Sequence, residues 1–184
     1  MHRRKYLTEE LNRLSIDEFK KKNKIPLIII LDNVRSKNNI GSVFRTSDAF
    51  LVNKIFLCGI TAVPPDADIH KTALGATDSV NWEYNEDISD VISELQQSGY
   101  KVIAVEQTEN SIKLADFKLA DFEKIALVFG HEVRGVQQKV VDQCDGCIEI
   151  DQYGTKHSLN ISVCAGIVIW EIAKALFNKK SGLD

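Results

Sequence analysis

Hydrophobic residues fall along this chain in short aliphatic runs separated by stretches of helical spacing. The run 25–31, IPLIIIL, shows no alternation and reads as a strand buried on both faces, as in a parallel sheet covered on each side. Ile40, Val43, Phe44 and Ser47 follow at helical spacing, with Asn38 or Asn39 placed to cap the helix. Residues 54–59 predict a second strand, and 61–68, carrying Pro64 and Pro65, a loop. A short helix or turn is expected at 71–77, a short strand at 80–84, and a helix at 88–97 ended by Gly99. Further strands are predicted at 101–106, 125–129 and 147–150, with helices at 133–142 and 158–177. This alternation predicts an α/β domain with a mostly parallel sheet flanked by helices.

The last helix is apolar nearly all round. Leu159, Val163, Gly166, Trp170 and Ala173 share one face, while Ile161, Ala165, Val168, Ile172 and Leu176 line another. Such a helix must be covered on both sides, and in a chain of 184 residues the second cover is expected to be another subunit. No apolar run reaches the length of about 20 residues that spans a bilayer; the longest, 161–169, is interrupted by Ser162. The first residues, MHRRKYLTEE, lack the apolar stretch of a secretory signal, so a cytoplasmic protein without a membrane partner is expected.

Composition adds modest constraints. Hydrophobic residues make up 44% and charged residues 27%, as in an ordinary globular domain. A net charge of -3 weighs against a nucleic-acid partner, because phosphate binding is driven by Lys and Arg. Its distribution softens that objection: His2, Arg3, Arg4 and Lys5, then Lys20, Lys21, Lys22 and Lys24, concentrate positive charge in residues 1–24. Two readings of this basic extension stand, a solvated tail and an RNA-gripping segment. Cys144 and Cys147 have the C-x-x-C spacing, but no second pair completes a four-ligand zinc site, so no metal is expected. Cys58 and Cys164 lie in apolar runs as small hydrophobes.

Three polar-glycine segments carry the candidate chemistry. The first follows the opening strand: Arg35, Ser36, Lys37, Asn38 and Asn39 lead into Ile40, Gly41, Ser42, Val43, Phe44, Arg45 and Thr46. Strand ends and helix N-termini in parallel sheets bind anions, so Arg35 and Lys37 are candidate phosphate contacts; Arg45 lies a turn and a half into the helix, and the resemblance given below makes it a third. An i,i+3 ion pair between Arg45 and Asp48 is the competing reading of that arginine. The second segment runs from Phe129 through Gly130, His131, Glu132, Val133 and Arg134 to Gly135, where a strand ending in glycine lets a ligand approach the backbone. Glu132 alone reads as an acid favourable to a helix N-terminus. The third comprises Ile150, the polar loop 151–157, and Ser158, Leu159, Asn160, Ile161 and Ser162. A nicotinamide-binding fingerprint, a G-x-x-x-x-G-K phosphate loop and a G-x-S-x-G nucleophile elbow are all missing from the sequence.

In this order and spacing the three segments resemble the signatures of the SpoU (TrmH-like) RNA ribose methyltransferases of the SPOUT superfamily, over 27–177. The resemblance implies a methyltransferase domain at 25–184 with a deep C-terminal trefoil knot, which periodicity alone does not reveal. It implies S-adenosyl-L-methionine as cofactor, a homodimer, and methyl transfer to a ribose 2′-hydroxyl of tRNA or rRNA. Arg45, Asn39, Ser158 and Asn160 match the catalytic positions. Gly130, Glu132, Ile150, Ser158 and Leu159 match the cofactor pocket, and Val105, Glu106 and Gln107 at a strand end are its expected fourth wall. Relatives commonly carry proline after the residue matching Ile150; Asp151 stands here instead, freeing one backbone N–H and adding a negative charge. A non-catalytic RNA-binding or assembly protein and an RNA base methyltransferase are the alternatives.

Overall fold

The computed structural model describes residues 3–118 and 123–181; His2 of the basic leader lies outside them. Seven strands form one sheet: β1 (Ile25–Asp32), β2 (Val52–Cys58), β3 (Trp82–Asn85), β4 (Lys101–Val105), β5 (Ile112–Lys113), β6 (Ile125–Phe129) and β7 (Gly146–Glu149). Their order is β3-β2-β1-β6-β4-β7-β5, and every pairing is parallel. The helices are α1 (Ile16–Lys21), α2 (Lys37–Ala49), α3 (Ala67–Ala73), α4 (Ala76–Ser79), α5 (Ile88–Gln97), α6 (Gln138–Val141) and α7 (Ile161–Ser181).

Alternation along the buried strands builds two cores. Leu27, Ile29 and Leu31 of β1 face the same side as Ile125, Leu127 and Phe129 of β6, under α2, α3 and α7. Ile28 and Ile30 join Ala126 and Val128 on the other side, under α5 and Val140 of α6. Register fixes the pairing, with Leu27 opposite Ile125 and Leu31 opposite Phe129. The chain leaves β1 through α2 toward β2 and leaves β6 through α6 toward the opposite flank. Adjacent strands whose connections diverge in this way open a crevice at their C-terminal ends, where open α/β sheets place ligands.

The observed elements depart from expectation in several places. Residues 133–142 do not form one helix. Gly135 has φ +64°, and His131 and Gly135 exchange backbone hydrogen bonds in a tight turn, so only 138–141 is helical. Ser36, not Asn38 or Asn39, caps α2 by accepting from the Asn39 N–H. The last helix starts at Ile161, because Asn160 Oδ1 accepts from the Ser162 and Val163 N–H groups and ends the loop there. Finally, α7 is long and apolar enough to cross a membrane, with mean hydropathy 1.5 over Ile161–Lys179. Counting uninterrupted apolar residues understated it. Here it acts as a core helix, packing on α2 and β1 with Ala165, Val168 and Ile169 fully buried.

Cover on α7 is one-sided within the chain. Ile161, Ala165, Val168, Ile172 and Leu176 are buried, and so is Ala173, whereas Val163 is 51%, Ile167 40% and Trp170 51% exposed. The cysteines are all free thiols. Burial pushes Cys58 and Cys144 up to about 12 and Cys164 up to about 11.

Candidate active site

The loops after β4, β6 and β7 meet at the C-terminal ends of the strands and enclose a cavity of about 330 Å³. Val105, Glu106 and Gln107 form one side, Gly130 and Glu132 another, and Ile150, Ser158 and Leu159 a third, so each expected cofactor-pocket residue lines the same space. Phe129, Ile148 and Ile161 add apolar floor. Ligand cavities typically range from about 300 to 1,000 Å³ and combine apolar walls with a few fixed polar groups.

Two glycines make the pocket wall possible. A Cβ on Gly130 would run into the Gly135 carbonyl and the Val136 nitrogen, and one on Gly135 would strike the Glu106 carboxylate. Glu106 therefore sits tight against the turn, its Oε2 accepting from the Val136 N–H at 2.8 Å and its Oε1 from the Gln107 N–H at 2.9 Å. His131, given no chemical role by its sequence context, is buried in the cavity wall, and its Nδ1 accepts from the Val133 N–H at 3.0 Å. The G-H-E spacing holds the signal for that turn, since a side-chain acceptor two residues before a backbone N–H closes it.

Glu132 joins distant parts of the chain. Its carboxylate accepts from the N–H groups of Arg35 at 3.0 Å and Ser36 at 2.8 Å, and from the Asn39 amide at 3.2 Å. Burial works against the ionised form, but these donors outweigh it and hold the carboxyl below its ordinary value of 4.5. Asn39 Oδ1 in turn accepts from Asn160 Nδ2 at 3.2 Å. One hydrogen-bonded chain, Glu132–Asn39–Asn160, thus unites the three polar-glycine segments beside Ser158.

The basic candidates divide. Arg35 contributes its backbone N–H to Glu132 and leaves its side chain exposed. Lys37 pairs with Asp66 at 2.7 Å, which raises its own pKa and spends its charge on the cap of α3. Arg45 does not line the cavity. It lies six residues beyond Asn39, about 9 Å along the helix axis, in a groove of about 900 Å³ between α2, α4 and residues 12–22. Arg13 and Lys22 share that groove. Among the described residues no acid pairs with Arg45; Asp48 instead accepts from the Ser79 hydroxyl at 2.5 Å.

The chain is similar to several named RNA methyltransferases. A 23S rRNA (guanosine-2'-O-)-methyltransferase, RlmB, from Ralstonia nicotianae is 31% identical over 150 residues, covering 81% of this chain and 59% of the relative. A tRNA (guanosine(18)-2'-O)-methyltransferase from Aquifex aeolicus is 30% identical, covering 90% of this chain and 77% of its own length. This chain spans between 59% and 66% of several such relatives. The fold matches the A. aeolicus TrmH/SpoU tRNA modifying enzyme with TM-score 0.79 at 24% identity, over 91% of this chain and 83% of that one. It also matches the AdoMet-bound rRNA methyltransferase of Sinorhizobium meliloti with TM-score 0.75 at 23% identity, over 88% and 61%. A family model covers residues 26–170, the stretch that holds all three polar-glycine segments, and on that match the chain belongs to the SpoU rRNA Methylase family.

Proposed function

We propose that this chain binds S-adenosyl-L-methionine in the cavity between residues 130–135 and 150–159 and methylates a ribose 2′-hydroxyl of tRNA or rRNA. The observation that carries this reading is the convergence of Gly130, Ile150, Ser158 and Leu159 on one cavity, with the Glu132–Asn39–Asn160 chain at its side. The residues fit the cofactor. Phe129, Ile148 and Ile150 offer apolar surface for an adenine, Gly130 lets the 130–135 turn fold tightly into the wall, and the Glu106 carboxylate is an acceptor suited to ribose hydroxyls.

The cofactor supplies a methyl group already activated on a sulfonium, so the protein's task is alignment, which is worth up to about 7–11 kcal/mol. In this reading Asn39, Asn160 and Ser158 hold the accepting hydroxyl; Glu132 orients the Asn39 amide, whose oxygen in turn accepts from Asn160. A guanidinium stays protonated at neutral pH and is a poor base. Arg45, in a groove outside the cavity, therefore binds a phosphate of the RNA and seats the ribose for transfer rather than touching the 2′-oxygen itself. Arg13 and Lys22 give the same groove further cationic character suited to an RNA backbone.

The active form is a homodimer in this reading. Val163, Ile167 and Trp170 recur at helical spacing on the uncovered face of α7, and a second copy covers them. Residues 25–184 form the methyltransferase domain, closed by a trefoil knot, and 1–24 an extension that contributes to RNA contact. The family match over 26–170 supports the domain, and the basic residues within 1–24 are what favours RNA contact by the extension. No metal or membrane enters the reaction, and the protein acts in the cytoplasm. Calorimetric titration with S-adenosylmethionine, followed by tritium transfer from labelled cofactor to total RNA, tests the proposal. Cofactor binding without transfer to any RNA would support the non-catalytic alternative.

A further inference from the structure

Lys113, Glu149 and Asp151 form an ion cluster where β5 and β7 meet the start of the third polar-glycine segment. Strand β5 is two residues long and pairs with β7, placing Lys113 opposite Glu149. The Lys113 Nζ lies 2.5 Å from Glu149 Oε1 and 2.9 Å from Asp151 Oδ1. Glu149 and Ile150 line the cavity, and Asp151 begins the loop that carries Ser158 and Leu159. Two carboxylates two residues apart repel unless a cation sits between them. Hydrogen bonding to Lys113 holds Glu149 below the usual carboxylate range, and the carboxylates beside it raise the lysine.

The same edge of the sheet holds the loop at its far end, where Gln107 Nε2 donates to the His157 carbonyl at 3.1 Å. Between these ties residues 153–156 are exposed, and Tyr153 is 94% so. The loop is thus supported at its two ends, and Lys113 is the cation that anchors the first.

We propose that Lys113 is a positioning residue for cofactor binding: by bridging Glu149 and Asp151 it sets the path of the loop out of β7, and with it the wall formed by Ile150, Ser158 and Leu159. This rests on reading the cavity as the S-adenosylmethionine site. Surface ion pairs contribute modestly, so Lys113→Met weakens cofactor binding by about three- to fivefold at low salt. Screening closes that gap at high salt. Lys113→Arg, which keeps the charge, binds as wild type does. Lys113→Met/Asp151→Asn is no weaker than Lys113→Met alone, because both changes act on one cluster.

The experiment is calorimetric titration of the full chain and these variants with S-adenosylmethionine at two salt concentrations, together with hydrogen exchange of the 150–158 amides. Faster exchange across 150–158 in Lys113→Met, reversed in Lys113→Arg, supports the anchor independently of any cofactor. Unchanged exchange, wild-type affinity in Lys113→Met, a salt-independent gap, or a weak Lys113→Arg variant overturns the proposal. A wild-type chain that binds no cofactor, with the exchange result intact, refutes the reading of the cavity and not the anchor.

Discussion

Replacing Glu132 with alanine tests how the site is held together. The change removes three acceptor contacts that join residues 130–136 to residues 35–39. The Arg35 N–H is at the surface and turns to water, so its loss costs little. The Ser36 N–H and the Asn39 amide are partly buried, and each loses a charge-assisted bond. At roughly 1–2 kcal/mol each after allowance for partial exposure, the total is about 2–4 kcal/mol. For a chain of this size that lowers the melting temperature by about 5–15 °C. The pH dependence has a definite sign. The folded-state pKa of Glu132 lies below 4.5, so its stabilisation is present above the ordinary value and disappears as pH falls through the lowered one. Differential scanning calorimetry of wild type and Glu132→Ala from neutral to acid pH should therefore show a gap that narrows below about pH 4.5. Melting within about 2 °C of wild type at neutral pH would refute the assigned role, as would a gap that persists in acid.

Three further outcomes follow from the geometry. Arg45→Ala should abolish methyl transfer while leaving S-adenosylmethionine affinity nearly unchanged in calorimetry, because Arg45 lies outside the cavity; Arg45→Lys should retain charge but lose most turnover, since it lacks the planar fork. Ile167→Asp, placed on the uncovered face of α7, should shift sedimentation from dimer to monomer without unfolding the chain, whereas an unshifted dimer would put the interface elsewhere. Cys58, buried and pushed up to about 12, should react slowly with a thiol reagent at mildly alkaline pH until the protein is denatured; fast labelling of native Cys58 would contradict its burial.

The sheet was legible because its inner strands announce themselves. Ile25–Asp32 and Ile125–Phe129 are short, aliphatic and ended by polar or glycine turns, which only a doubly covered strand needs. The helix expected over 133–142 was a false signal. Val133, Val136 and Val140 mimic an amphipathic face, yet Val133 is 83% exposed and the turn is set by Gly135 and the His131 side chain. Strand β5 escaped notice because two residues carry no periodicity; it exists through its pairing with β7. The capping role of Ser36 follows from Ser-x-x-Asn, a pattern overshadowed by the neighbouring asparagines.

The cavity walls were readable from the segments themselves, since a glycine at a strand end marks close backbone approach. What the segments concealed was distance. Arg45 and Asn39 share a segment, but six helical residues carry the guanidinium into a separate groove beside residues 12–22. Asp151, a departure from the family pattern, likewise gained its meaning only when Lys113 was found beside it.

Ribose methylation is tested most directly by nucleoside mass spectrometry. RNA from cells lacking this protein would be digested and compared with RNA from cells supplied with wild type or Arg45→Ala. One 2′-O-methylated nucleoside should vanish with the protein, return with wild type and stay absent with Arg45→Ala. A methylated base in its place, or no nucleoside that tracks the protein, would contradict the account.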